Sequence, residues 1–229
     1  MSVPALAALL ALALGGVLAA ATPALLRWCP LPPDAVTLDG SELPPFAELA
    51  SARFRAKVFA VATAAGAVVF ALTDPRDWAA WAPLVTLGAL LALVDLRTAY
   101  LPLRLNYLAL GLCVIGACIS AWLRGSWPLL LSAGACGLVA TVVFWVVWRV
   151  SGDRFGFGDV RLAGVIGVVT GTHGVVLTVW AFLLGSLVGA AWGGVQWARR
   201  GRDGEFAYGP ALLLGPPLAL VVSSVVRPG

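Results

Sequence analysis

Eight apolar runs, at about 3–26, 58–73, 78–95, 105–123, 127–148, 160–173, 174–197 and 210–226, take up most of this chain of 229 residues. Apolar residues make up 61% of it and charged residues 11%. A soluble domain carries about 25% charged residues. So much apolar surface cannot be hidden from water, and a bilayer span needs about 20 residues. The chain therefore reads as an all-α, polytopic transmembrane helix bundle of about eight helices, with seven as the alternative. The doubtful run is 160–173. It reaches only about 21 Å at 1.5 Å per residue, so it is either shielded from lipid, bent at Gly171 or partly re-entrant.

The chain divides in two. Residues 1–57 hold a first helix and a polar loop; residues 58–229 hold the main bundle. Nothing basic precedes Arg27, so the first run reads as a retained helix, not a signal peptide. The loop over 27–57 carries Asp34, Asp39, Glu42 and Glu48 with five prolines, and a short amphipathic helix is expected from Phe46 to Lys57. With the N-terminus outside, eight spans put all but Arg76, Arg124 and Arg227 of the fifteen Lys and Arg residues on the inner side. That bias sets the orientation. Trp28, Trp78, Trp81, Trp122, Trp127, Trp148 and Trp197 fall near run ends, as interfacial aromatics do. No dense basic stretch interleaved with aromatics is present, which argues against nucleic acid as a partner. The lipid bilayer is the partner that composition demands. Of the cysteines, Cys113, Cys118 and Cys136 lie inside apolar runs and read as small packing residues.

Acids beside a bilayer are costly and usually paired, wet or functional. Asp74 precedes Pro75 and reads as a turn. Asp95 closes the third run, and Asp159 opens the sixth in Phe155-Gly156-Phe157-Gly158-Asp159-Val160-Arg161. The orientation puts both at the inner face. Two carboxylates a few ångströms apart cannot both ionise easily, so the pair holds a single proton. One then takes a proton from water while the other protonates a carbonyl oxygen or a leaving amine. Gly156 and Gly158 permit positive φ and clear space for a substrate backbone. The plainer alternative makes Asp159 a helix N-cap and Asp95 a helix-end acid near Arg97, with Pro102 ending or re-aiming the chain.

Three segments together are more specific. Leu93-Val94-Asp95-Leu96-Arg97-Thr98-Ala99-Tyr100-Leu101-Pro102 resembles the first aspartate motif of the prepilin peptidases, or type IV leader peptidases. Gly156-Phe157-Gly158-Asp159-Val160-Arg161-Leu162 resembles their second motif. Glu205-Phe206-Ala207-Tyr208-Gly209-Pro210 resembles their late aromatic-Gly-Pro element. The resemblance runs over about 58–226. It implies a membrane aspartyl endopeptidase in the inner (plasma) membrane that removes short basic leaders from prepilins or pseudopilins at the cytoplasmic face, without a cofactor. Asp95 and Asp159 are then the catalytic pair, with Gly156, Gly158, Arg161, Pro102, Gly209 and Pro210 binding substrate or supporting the site. Arg161 stands where the family usually has Lys, and Leu103 where many members place a polar residue. Bifunctional members carry two Cys-x-x-Cys pairs in the region matching 27–57; here that region holds Cys29 alone. Neither a structural zinc nor the methylating activity of those members is expected.

Other readings compete with this one. A presenilin-like Gly-x-Gly-Asp protease places Tyr before its first aspartate, whereas Val94 precedes Asp95. A small proton-coupled transporter would set its acids near the midplane, often with inverted repeats. A non-catalytic assembly protein on the same scaffold has no need of both aspartates. Asp153, Asp203, Glu205 and the acidic loop read as solvated acids or as contacts for a basic leader. His173 falls at the outer face, away from the aspartates. Gly134, Gly137, Gly185, Gly189 and Gly193 read as close helix contacts.

Overall fold

The computed structural model describes residues 2–31, 43–151, 156–200 and 207–226. Among these residues it holds eight α-helices and no strand. They are α1 (Val3–Trp28), α2 (Ala52–Leu72), α3 (Trp78–Thr98), α4 (Leu103–Arg124), α5 (Trp127–Ser151), α6 (Phe157–Gly171), α7 (Val175–Arg200) and α8 (Gly209–Val226). Seven are long and apolar enough to cross a membrane, and α6 is the exception. The chain is a multi-pass membrane helix bundle.

The start of α2 departs from the hydropathy pattern. Phe46–Leu49 forms one 3-10 turn, and no helix runs from Phe46 to Lys57. Ser51 is extended, and its side chain accepts a hydrogen bond from the Phe54 amide, so a new helix begins at Ala52. Arg53, Arg55 and Lys57 therefore form the first turns of α2. The Arg55 guanidinium reaches the Ala19 carbonyl at 3.0 Å and ties α2 to α1. Asp34, Asp39 and Glu42 lie outside the described residues.

Helices pair as α1–α2, α3–α4, α5–α6 and α7–α8, and α6 also meets α3, α4, α7 and α8. Every residue from Leu162 to Gly171 is buried. Shielding by neighbours is thus what allows a helix too short to face lipid on both sides. Small residues make the enclosure tight. A β-carbon on Gly167 would sit 2.7 Å from the Cys136 carbonyl oxygen and 2.8 Å from Gly137 Cα. One on Gly171 would sit 2.9 Å from Ala133 Cα. Close backbone approach of this kind replaces the hydrophobic drive that lipid removes. Gly137 and Gly185 are helix contacts as anticipated, but Gly189 lies against the Tyr208 ring ahead of α8, and Gly134 has nothing within 4 Å.

The end of the bundle far from Asp95 and Asp159 carries its own polar cluster. Asp77 is 1% exposed. Arg124 grips it with two bonds of 2.6 Å, and His173 Nε2 lies 3.2 Å away. Asp74 caps the adjoining turn by accepting from the Arg76 amide. Asp77 thus joins the start of α3 to the end of α4 and to the link between α6 and α7. His173 belongs to this clamp.

Candidate active site

Asp95 occupies the last turn of α3, where Ala99 ends the helix in the left-handed conformation at φ 52°. The Thr98 hydroxyl donates to the Val94 carbonyl at 2.9 Å and accepts from the Tyr100 amide at 3.2 Å. This turns the chain sharply, so that Leu101 passes over the start of α6. Pro102 then serves as the N-cap of α4. In this way α3 delivers its acid, and the linker delivers Leu101, to the same place.

Asp159 lies in the first turn of α6. Gly156, not Asp159, is the N-cap of that helix, with φ −70°. The glycine-rich stretch therefore does not use positive φ, which among the described glycines occurs at Gly125 and Gly174. Gly158 has a steric purpose instead. A β-carbon there would come 2.8 Å from Leu101 Cβ. The space cleared at Gly158 is filled by Leu101, and that contact seats the α3–α4 linker on α6. Gly156 is exposed, and a β-carbon on it would lie 3.4 Å from Asp159 Oδ2.

The two acids lie close to one another near the start of α8, where Leu101 reaches the Cβ positions of both Gly158 and Gly209. Asp95 is 5% exposed and Asp159 7%, and Asp159 lies within electrostatic reach of Asp95. The Gly209 amide, at the first position of α8, donates to Asp95 Oδ2 at 3.0 Å. A helix N-terminus supplies free amide donors and favourable dipole to a carboxylate. A β-carbon on Gly209 would stand 2.8 Å from that oxygen, so any other residue must displace the carboxylate. Pro210 sits in the first turn, where its missing N–H breaks no bond. Asp159 Oδ1 is buried and has no hydrogen-bond partner among the described residues. One carboxylate is held, and the other is enclosed with an unused oxygen.

Arg161 is set to one side. Its guanidinium stacks over Phe157 at 4.6 Å and Tyr107 at 5.9 Å, a cation–π seat between α4 and α6. Asp153, Asp203 and Glu205 lie outside the described residues. Three neighbours are not singled out by sequence reasoning: Leu101, Ser186 and Tyr208. The Tyr208 hydroxyl donates to Ser186 Oγ at 3.1 Å. Burial pushes the Tyr208 phenol above its ordinary value, and the charge of Asp159 adds to that. Tyr208 directly precedes Gly209, whose amide holds Asp95, so it stands beside the acid pair as well as Ser186. Its signal is present in the Tyr208-Gly209-Pro210 element, where the glycine and proline draw the first attention.

Fold and site together define a polytopic helical membrane protein with two buried acids brought to one end of the bundle by separate helices. A model of the type IV leader peptidase family matches residues 82–194, a stretch that takes in both aspartates and α4 to α6 and stops short of Gly209. Through that region the chain belongs to the type IV leader peptidase family, and it is a membrane protease of that kind. Neither the curated proteins nor the solved structures give a match.

Proposed function

We propose that this chain is an aspartic endopeptidase that removes the basic leader of prepilin-like proteins at the cytoplasmic face, with Asp95 and Asp159 as its catalytic pair. The observation that carries the reading is the burial of two carboxylates, from α3 and α6, near the start of α8: Gly209 holds Asp95, and Leu101 meets both Gly209 and Gly158, the neighbour of Asp159. Water positioned between them loses a proton to the ionised member as its oxygen attacks the scissile carbonyl. The protonated member gives its proton to the carbonyl oxygen, forming a neutral tetrahedral diol. The carboxyl that took the water's proton then gives it to the leaving amine as the C–N bond breaks, and the ionised partner takes the proton of one diol hydroxyl as the C=O bond re-forms. The shared proton belongs to the pair and to neither residue alone. Gly158 lets Leu101 seat against α6 and Gly209 lets Asp95 reach the start of α8, while exposed Gly156 carries no side chain over Asp159. Pro102 caps α4 and Arg161 braces α6 against Tyr107, so both support the site from behind.

The excess of Lys and Arg in the loops at the aspartate end orients that end toward the cytoplasm, with the N-terminus outside. The test is direct. Asp95→Asn and Asp159→Asn, expressed in membranes with a prepilin substrate, are each expected to lose cleavage by at least about 1,000-fold while the protein accumulates normally. Full cleavage by either variant would rule out a paired-carboxylate mechanism.

A further inference from the structure

A cleft of about 600 Å³ runs between α5 and α7, and no part of the reaction above uses it. Its walls are apolar, among them Val143, Val147, Val179 and Leu183. Polar groups occur at its two ends: Thr178 at one, and Ser186 and Tyr208 at the other. The Ser186 end is the catalytic end, because Ser186 is hydrogen-bonded to Tyr208, the residue before Gly209, whose amide holds Asp95. From Val175 to Ser186 the cleft tracks α7 for about 16 Å at 1.5 Å per residue. Its edges open sideways: Val143 is 51% exposed and Val179 58%. Phe144 and Phe182 face each other across it with ring centroids 5.3 Å apart.

We propose that this cleft is the docking surface for the apolar helix of the substrate, resting on the reading of the chain as a leader peptidase. The cleft starts beside the aspartates and leads away from the charged end of the bundle. A substrate cut at the aspartates has its polar leader on the side of the charged loops, so its remaining portion, beyond the cut bond, must run the other way. The cleft lies on that course, is apolar along its length and takes one face of a helix, leaving the opposite face to lipid. Phe144 and Phe182 must part for the helix to settle, which makes the aromatic pair the inner boundary of the entrance.

The experiment uses the full chain in lipid vesicles. Its probes are a synthetic substrate with a Lys-rich leader, a glycine and a Leu/Val helix, and the same peptide truncated soon after the cut bond. Val143→Trp and Val179→Trp narrow the cleft at exposed positions. Each is expected to lower cleavage of the helical substrate relative to the truncated one by tenfold or more. Val142→Trp, on α5 but outside the cleft, is expected to leave that ratio unchanged. A photo-crosslinking residue at 179 in the Asp159→Asn chain gives a readout that needs no cleavage. Capture of the helical substrate supports the proposal even if the parent chain cuts neither peptide, an outcome that would overturn the peptidase reading instead. Capture of lipid alone, capture of a second copy of the chain, or an unchanged ratio in both tryptophan variants overturns the cleft as the docking surface.

Discussion

Gly209 supports Asp95 twice, by donating its amide and by having no side chain to occupy the place of the carboxylate. Gly209→Ala puts a carbon 2.8 Å from Oδ2 and must push the acid aside. A displacement of about 1 Å costs roughly 100-fold in rate. Cleavage by Gly209→Ala is therefore expected to fall by about that factor, measured at equal protein in membranes. Gly158 calls for a paired test. Gly158→Ala meets Leu101 Cβ at 2.8 Å and is expected to slow cleavage, and adding Leu101→Gly, which removes that β-carbon, should restore part of the rate. No recovery in the double variant would mean that Gly158 serves something other than the seat of Leu101. At this scale the sequence is readable where chemistry is rare. Acids at the ends of apolar runs stand out, and so Asp95 and Asp159 do. Leu101 does not, because a leucine in a membrane protein looks alike in every role. Asp77 escapes notice for the opposite reason. Beside Asp74 and Arg76 it resembles a solvated turn residue, and only the fold buries it.

The seam between α5 and α6 rests on glycine, and a glycine on the seam and one off it are expected to respond differently to a side chain. Gly167→Val would drive a side chain into the backbone at Cys136 and Gly137. Backbone cannot move aside as a side chain can, so a loss of about 3 kcal/mol or more is expected. Gly134→Ala meets open space and is expected to raise stability by about 0.5–1 kcal/mol, the helix-propensity gain alone. Thermal unfolding in detergent compares the two. The Asp77 clamp is a second element-scale feature. Asp77→Ala leaves Arg124 without its two bonds of 2.6 Å. Breaking a buried ion pair by removing one partner costs roughly 3–5 kcal/mol, and the partial exposure of Arg124 places this case near the lower end. The same unfolding assay should show Asp77→Ala well below the parent chain. Helix number is legible because apolar length measures the bilayer directly. Helix starts are less so. Arg53, Arg55 and Lys57 hide the opening turns of α2 from any hydropathy reading, and a single hydroxyl on Ser51 decides where that helix begins.

Across the whole molecule, the two polar ends differ in kind. One holds the aspartates among loops rich in Arg and Lys, and the other holds the Asp77–Arg124–His173 clamp. The orientation read from loop charge can be checked with Arg97→Cys and Arg76→Cys, both exposed and at opposite ends, in a chain whose four natural cysteines are replaced. A membrane-impermeant thiol reagent applied to intact cells is expected to label position 76 and leave position 97 unlabelled until the membrane is opened. The reverse pattern would invert the topology. Overall pairing of helices is not legible in the sequence, since a glycine that packs and one that does not, Gly137 and Gly134, lie one helical turn apart in α5. The enclosure of α6 bears on how such a protein tolerates different host membranes. A helix of about 22 Å by its rise would be mismatched against a hydrocarbon layer of about 30 Å if lipid touched it. Since its helical neighbours sheathe it, thickness strain falls on them, and the depth of Asp159 is referenced to protein and not to lipid. Moved between vesicles of short-chain and long-chain lipids, the enzyme should change in overall rate yet keep cutting the same bond.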